Sequence, residues 1–188
     1  IKTTAKDADT NSNISCAKKE ITLVDTVSFK GLVPNQKYEV TGTLMDKETK
    51  KLVEADGKPV TAKASFKPKE SAGTVEVTFT FDASSLKGKT VVVFESLAYK
   101  DKEVAVHADI ADEGQTIYFP EIETTASDSA SGTHYAKPEK ELTLTDLVEY
   151  KNLVPGKEYK LTGTLMDAET EKPFEVDGKA VTAETSFT

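Results

Sequence analysis

The stretch Thr74-Val-Glu-Val-Thr-Phe-Thr-Phe81 alternates strictly between polar and apolar side chains. Side chains of a strand point to opposite faces in turn, so residues 75, 77, 79 and 81 share one face. This pattern is typical of a half-buried strand in a sandwich. Similar runs recur about every eight to twelve residues, with turn signals such as Asp56-Gly57 between them, and helical periodicity is lacking. The sequence therefore predicts an all-β protein built from β-sandwich domains.

The composition excludes several classes of function. The chain has 24 Lys and Arg against 32 Asp and Glu, a formal net charge of −8. An acidic chain is a poor partner for nucleic acid or for an anionic membrane surface, and no apolar run approaches the length that spans a bilayer. The single cysteine, Cys16, cannot form an internal disulfide, and metal sites need clusters of ligands. We expect no metal and no cofactor.

A long repeat organises the chain. Residues 41–46, Thr-Gly-Thr-Leu-Met-Asp, return unchanged as residues 162–167, and Leu-Val-Pro at 32–34 returns at 153–155. The offset is 121 throughout, which suits whole domains in tandem rather than a solenoid. The repeat predicts a complete domain over 1–119, a short linker at 120–121 and a second copy over 122–188. That copy ends at the equivalent of Lys67, so we expect a truncated half-domain from a longer protein.

Several polar residues fall on apolar faces by strand parity. They are Thr3, Asp25, Glu95 and Gln115, which share faces with apolar residues such as Ala5, Leu23, Val93 and Ile117 respectively. Burying an ionised carboxylate costs several kcal/mol unless the group is paired or stays protonated. With His107, one of two histidines in the chain, these residues form a polar cluster that needs a chemical explanation.

These side chains could react with one another. A threonine hydroxyl needs a base, and His107 is the plausible one; Asp25 would orient its imidazole, as in a hydrolase triad. Glu95, desolvated by valines, would keep its proton and donate a hydrogen bond to the Gln115 carbonyl. Attack by Thr3 on the carboxamide would expel ammonia and leave an ester.

The same residues carry a resemblance to a known family. Val93-Phe94-Glu95, His107 and Gln115 eight residues apart, Asp25 and the opening Thr3-Thr4-Ala5 resemble the VaFE-repeat family of Gram-positive surface adhesins. The resemblance implies Ig-like domains in which a first-strand Thr and a last-strand Gln form an autocatalytic ester, assisted by an Asp, a Glu and a His. The corresponding positions here are Thr3, Gln115, Asp25, Glu95 and His107.

Two points stay open at the level of sequence. Strand parity favours Thr3 as the nucleophile, with Thr4 as the alternative, because a bulge would reverse the parity. In the second copy Thr124 and Asp146 match the pattern, but counterparts of the Glu, His and Gln are missing. We expect that this copy could be completed by a strand supplied in trans.

The predicted function is a structural stalk module of an extracellular, cell-wall-anchored bacterial adhesin. Its partners would be neighbouring copies in the same chain, while a host ligand would bind elsewhere in the parent protein. The module would not be an enzyme, since each domain would react once. The lysine-rich segments 47–51 and 67–69 are predicted to be solvated turns.

Three alternatives remain. A similar sandwich could carry a Lys–Asn or Lys–Asp isopeptide crosslink. A hydrolase could use Thr3, His107 and Asp25 in turnover, although no oxyanion-hole motif is visible. A ligand-binding adhesin module would present loops at the sandwich ends, but an aromatic or cationic hot-spot cluster is lacking.

Overall fold

A computed structural model describes residues 2–188 of the chain. The described residues divide into two compact units. The first runs to Glu121 and includes Tyr150–Leu153; the second comprises Ile122–Glu149 and Val154–Thr188. The boundaries that the repeat suggests, at 119 and 121, stay a prediction.

Strands account for nearly all regular structure of the first unit. They are β1 (Lys2–Asp7), β2 (Ile21–Lys30), β3 (Tyr38–Asp46), β4 (Glu54–Ala55), β5 (Lys58–Pro59), β6 (Thr61–Phe66), β7 (Ala72–Phe81), β8 (Thr90–Tyr99), β9 (Lys102–His107) and β10 (Thr116–Tyr118). Two short 3₁₀ turns, Ser84–Leu86 and Glu113–Gln115, interrupt them.

Two sheets form the sandwich. One has the order β1-β2-β7, and the other has the order β10-β8-β3-β6 with β9 also paired to β8. Alternate residues of each strand point inward, as in β2, where every odd position from Ile21 to Phe29 is buried. The inward side chains of both sheets form one core, which includes Leu23, Phe79, Leu44 and Val93. The prediction of an all-β sandwich is confirmed.

Strands β9 and β10 lie along the same edge of β8. Strand β3 pairs with β8 from Val91 to Tyr99 and occupies the other edge. Strand β9 pairs with the Glu95–Tyr99 part of β8, and β10 with the Thr90–Val92 part. The segment 108–115 between β9 and β10 therefore begins and ends beside the middle of β8.

The turn chemistry agrees with the predicted hairpins. Asp56 and Gly57 connect β4 to β5 with φ values of 52° and 71°, and Lys100 and Asp101 connect β8 to β9 with 49° and 61°. Positive φ at both central residues is the signature of a type I′ turn, whose twist matches that of the flanking strands.

The remaining strands lie wholly or mostly in the second unit: β11 (Glu121–Asp128), β12 (Leu144–Lys151), β13 (Tyr159–Thr164), β14 (Met166–Asp167), β15 (Lys172–Pro173), β16 (Glu175–Val176), β17 (Lys179–Ala180) and β18 (Thr182–Phe187). They form two-stranded sheets. Large apolar side chains are exposed there, among them Ile122, Leu142, Leu147, Phe174 and Val176. All buried apolar residues of the described chain instead fall between Ala5 and Phe119.

No helix within residues 2–188 has the length and apolar character needed to cross a membrane.

Candidate crosslinking site

The nucleophile predicted from sequence lies inside the sandwich. Strand β1 pairs with β2 so that Thr3 lies opposite Val27 and Ala5 opposite Asp25, which makes Thr3 and Asp25 diagonal neighbours on one face. The Thr3 side chain is 4% exposed. Thr4 points to the other face, is exposed, and donates its hydroxyl hydrogen to the Thr3 carbonyl oxygen at 2.8 Å. Of the two candidate hydroxyls, only that of Thr3 faces the core.

Glu95 enters the same space from the facing sheet. It lies in the middle of β8, opposite Gly42 of β3, and is 1% exposed. A Cβ at position 42 would come within 2.5 Å of the Phe79 ring, so glycine lets that ring pack beside the site. Burial, and then the nearby charge of Asp25, raise the pKa of Glu95 to about 10. A carboxyl group with this pKa keeps its proton at neutral pH.

A β-bulge in β9 places His107 beside Glu95. The register shifts between Leu97 and Ala98, because Ala98 pairs with Glu103 while Leu97 pairs with Ala105, and Val104 is left over. The shift brings His107 opposite Glu95. If the same residues paired without the bulge, Val106 would lie opposite Glu95, and bulges commonly re-aim side chains next to functional sites in this way.

Gln115 reaches the site from the 3₁₀ turn that precedes β10. Asp112 caps this turn by accepting a hydrogen bond from the Gly114 backbone N–H at 2.7 Å. A Cβ at Gly114 would lie 3.5 Å from the Thr3 carbonyl oxygen, so the turn packs directly against β1. The Gln115 side chain is completely buried, and its amide Nε2 donates to Asp25 Oδ1 at 3.1 Å.

The structure gives Asp25 a different hydrogen-bond partner from the predicted one. Asp25 was expected to orient the imidazole of His107, but its carboxylate binds the Gln115 amide instead. The group that contacts His107 is Asp112, whose Oδ2 lies 2.8 Å from Nε2. The physical reason is the path of the chain, since the loop after β9 folds back and returns Asp112 to the ring five residues later. Nothing in the sequence pattern singles out Asp112.

The site contains an unusual concentration of buried polar atoms without partners. Among the described residues, five buried side-chain oxygens lack a hydrogen-bond partner: Thr3 Oγ1, Asp25 Oδ2, Glu95 Oε1, Glu95 Oε2 and Gln115 Oε1. All of them belong to this one cluster. Buried polar groups in folded proteins are normally satisfied, and each exception needs a reason.

These groups without hydrogen-bond partners nevertheless lie close to one another. The Thr3 hydroxyl and the Asp25 carboxylate both lie near enough to Glu95 to influence its pKa, although neither contact has the geometry of a hydrogen bond. Burial raises the pKa of Asp25 as well, while the Gln115 amide opposes that rise. The arrangement thus brings a hydroxyl, a carboxamide and two carboxyl groups together in a dry space, with an imidazole at its edge.

Within the described part of the chain, no group of three or more His, Cys, Asp or Glu side chains is arranged to hold a metal ion. Cys16 is exposed and free. In the second unit Thr124 and Asp146 lie on β11 and β12, which pair with each other, and both are exposed.

Fold and site together define a β-sandwich domain whose first and last strands meet at a buried polar cluster. The family model described as "T-Q ester bond containing domain" matches residues 1–119 and again 120–188. The chain belongs to this family, and the resemblance to ester-bond-forming domains is confirmed.

Solved structures with a similar fold include two crystal forms of a bacterial adhesin from Mobiluncus mulieris. That adhesin contains intramolecular disulfide, isopeptide and ester bond cross-links. The two forms match with TM-scores of 0.54 and 0.56 at 14% identity, covering 98% of this chain and 92% and 96% of theirs. Among curated proteins none matches.

Proposed function

We propose that the first unit crosslinks itself through an ester between Thr3 Oγ1 and Gln115 Cδ. The observation that carries the proposal is the set of five unpartnered buried oxygens, which includes the would-be nucleophile and the carbonyl oxygen of the would-be electrophile. Leaving such groups buried and unpaired costs about 1–3 kcal/mol each. A covalent bond at this position removes the hydroxyl as an unsatisfied group and accounts for the cluster.

The reaction balances without a cofactor. The Thr3 oxygen attacks Gln115 Cδ, the O–Cδ bond forms, the Cδ–Nε2 bond breaks, and the hydroxyl proton leaves with the nitrogen as ammonia. His107 takes the proton and returns it to the departing amine, the shuttle of a hydrolase triad. Its Nε2 is held by Asp112, which leaves Nδ1 to act as the base. Each domain reacts once, so the module is not a turnover enzyme.

The burial and orientation of the reacting groups lower the barrier to ester formation. A protonated Glu95 can donate to the Gln115 carbonyl oxygen as negative charge develops there, and Asp25 holds the leaving nitrogen through its bond to Nε2. An amide is unreactive toward an alcohol in water. Contact in a dry, oriented site can offset roughly 7–11 kcal/mol of that barrier.

The position of the bond fits a module that bears load. An ester from β1 to the start of β10 would close nearly the whole first unit into a covalent loop. Force entering at one end and leaving at the other would then bypass the sandwich. We propose a stalk module of an adhesin on a bacterial cell surface; the crosslinked Mobiluncus mulieris adhesin supports this role by its similar fold.

The remaining features of this role are expectations of the same proposal. The module would be extracellular and attached to a Gram-positive cell wall through other parts of the parent protein. Its partners would be neighbouring copies in tandem, and a host ligand would bind elsewhere. The acidic net charge of −8 argues against nucleic acid and anionic membranes as partners.

Intact mass tests the ester. The purified chain should weigh one ammonia less than its sequence, and hydroxylamine, which cleaves esters and spares amides, should remove the link. Glu95→Ala and His107→Ala should restore the full mass while the fold is retained. A full mass for the unaltered chain would overturn the proposal, and a link that resists hydroxylamine would favour the isopeptide alternative.

For the second unit we propose completion by a strand segment in trans. In the first unit, strands β7 to β10 complete the sandwich, whereas Leu142, Leu147 and Ile122 remain exposed in the second. A synthetic segment of residues 68–119 added to the chain should form an adduct that Thr124→Ala abolishes. If the adduct forms equally with Thr124→Ala, capture at this site is excluded.

A further inference from the structure

Lys47, predicted to lie in a solvated turn, makes specific contacts with the turn that carries Gln115. It follows β3 directly, and its side chain is only 27% exposed. Its Nζ lies 2.7 Å from Glu113 Oε1 and donates to Thr116 Oγ1 at 3.2 Å. Glu113 precedes Gln115 in the turn and Thr116 follows it. Lys47 therefore contacts the turn that carries the carboxamide on both sides of Gln115.

Further hydrogen bonds connect this turn to the His107 imidazole. Thr116, which is completely buried, donates its hydroxyl hydrogen to the Asp112 carbonyl oxygen at 2.8 Å. The other carboxylate oxygen of Glu113 accepts a hydrogen bond from the Tyr118 hydroxyl at 2.7 Å. Asp112 in turn contacts His107. A connected set of polar contacts therefore runs from Lys47 through Thr116 and Asp112 to His107. Gln115 lies within this turn, where its backbone N–H donates to the Asp112 carbonyl oxygen at 3.2 Å.

The repeat shows that the turn after β3 does not need this lysine. The equivalent of Lys47 in the second unit is Ala168. There Asp167 accepts hydrogen bonds from the Glu169 and Thr170 backbone N–H groups at 3.0 and 2.8 Å. In the first unit Asp46 accepts the same two bonds, at 3.1 and 2.8 Å. The turn forms with alanine, which leaves the contacts across to the Gln115 turn as the distinct contribution of Lys47.

We propose that Lys47 is a positioning residue for ester formation, which holds the 112–116 turn so that Gln115 and Asp112 keep their places. This inference rests on the proposed crosslinking function. Lys47 contacts none of the reacting atoms and acts through Glu113 and Thr116. Small displacements of reacting groups slow intramolecular reactions strongly, since about 1 Å of misplacement can cost 10²-fold.

The test follows the rate of ammonia loss in the full chain. Each variant is made by cell-free translation, synthesis is stopped, and samples taken with time are quenched in acid and weighed by mass spectrometry. We expect Lys47→Met, which keeps the aliphatic stem, to slow the reaction about tenfold, and Lys47→Arg, which keeps the charge, to recover most of the rate. A parent rate for Lys47→Met would overturn the proposal.

A matched control and a second partner separate positioning from general destabilisation. Lys63 forms a comparable exposed ion pair with Glu39, away from the Gln115 turn, and Lys63→Met should react at the parent rate. Glu113→Gln should also slow the reaction, and the double variant with Lys47→Met should be no slower than the worse single one. Additive effects would contradict a shared contact. If Lys47→Met fails to fold, the rates of ammonia loss in Glu113→Gln and Lys47→Arg still test the proposal.

Failure of the inference and failure of the proposed function give different results. If the unaltered chain never loses ammonia, the ester itself is absent. If the unaltered chain does lose ammonia and the Lys47→Met chain loses it at the same rate, only the proposed role of Lys47 is contradicted. Added salt should slow the parent and leave Lys47→Met unaffected, because salt screens an exposed ion pair.

Discussion

At the scale of single residues, three carboxyl groups of the proposed site lie in different environments. Glu95 is held protonated by burial and by the charge of Asp25, whereas Asp25 is partnered by the Gln115 amide. The third acid, Asp112, lies at the rim beside His107. One acid can thus donate a proton, one can hold the leaving nitrogen and one can stabilise a charged imidazole.

The contact between Asp112 and His107 gives the first prediction. Asp112→Asn keeps an oxygen for the Gly114 cap but removes the negative charge beside the imidazole. We expect ester formation to slow by about 10²-fold or more, because His107, the base, loses the carboxylate that orients it and stabilises its charged form. Intact mass against time measures the rate. Asp109→Asn, a change in the same loop away from the ring, is the control and should react normally. Equal rates would remove Asp112 from the account.

The raised pKa of Glu95 predicts a pH dependence of stability. In the unreactive Thr3→Ala chain, the native state keeps a proton on Glu95 that the unfolded chain releases above the ordinary pKa of 4.5. The free energy of unfolding should therefore fall, by up to about 1.4 kcal/mol per pH unit, as pH rises from about 4.5 toward about 10.

Urea unfolding between these limits measures the slope. The matched chain Thr3→Ala/Glu95→Gln cannot titrate at this position, so its slope should be smaller. Identical slopes in the two chains would show that Glu95 is ionised in the native state.

At the scale of elements, the site depends on an irregularity that strand parity does not reveal. Parity on β1, β2 and β8 correctly placed Thr3, Asp25 and Glu95 on inward faces, because those strands are regular over these positions. The bulge at Val104 and the return of the loop to His107 arise from tertiary packing. Nothing in the alternation of a short sequence indicates them, so Asp112 and Lys47 were not recognised.

The register around the bulge can be tested directly. Val104 is the unpaired residue, so deleting it should leave a regular hairpin in which His107 still lies opposite Glu95. We expect a folded chain that still loses one ammonia, checked by circular dichroism and intact mass. Val104→Ala, which keeps the bulge, should be compared and should also react. A folded deletion chain of full mass would contradict this register.

At the scale of the whole molecule, the ester would tie β1 to β10 and constrain the unfolded chain. In the chain-entropy account, closing a loop of about 100 residues stabilises a domain by about 4.7 kcal/mol. The two ends are already neighbours without it, since the turn before β10 packs on β1. The bond therefore adds stability to a fold that the core specifies.

The stability prediction compares two neighbouring threonines. Thr3→Ala should lower the free energy of unfolding of the first unit by about 4–5 kcal/mol, as followed by calorimetry. Thr4→Ala removes an exposed hydroxyl and should change it by no more than about 0.5 kcal/mol. A large loss with Thr4→Ala and none with Thr3→Ala would reassign the crosslink.

The most direct measurement is tandem mass spectrometry of a tryptic digest of the unaltered chain. We predict a single branched species in which the peptide containing Thr3 is joined to the peptide containing Gln115 with the loss of one ammonia, and fragment ions that place the link on Thr3. Two separate peptides, with the Gln115 carboxamide intact, would contradict the central claim.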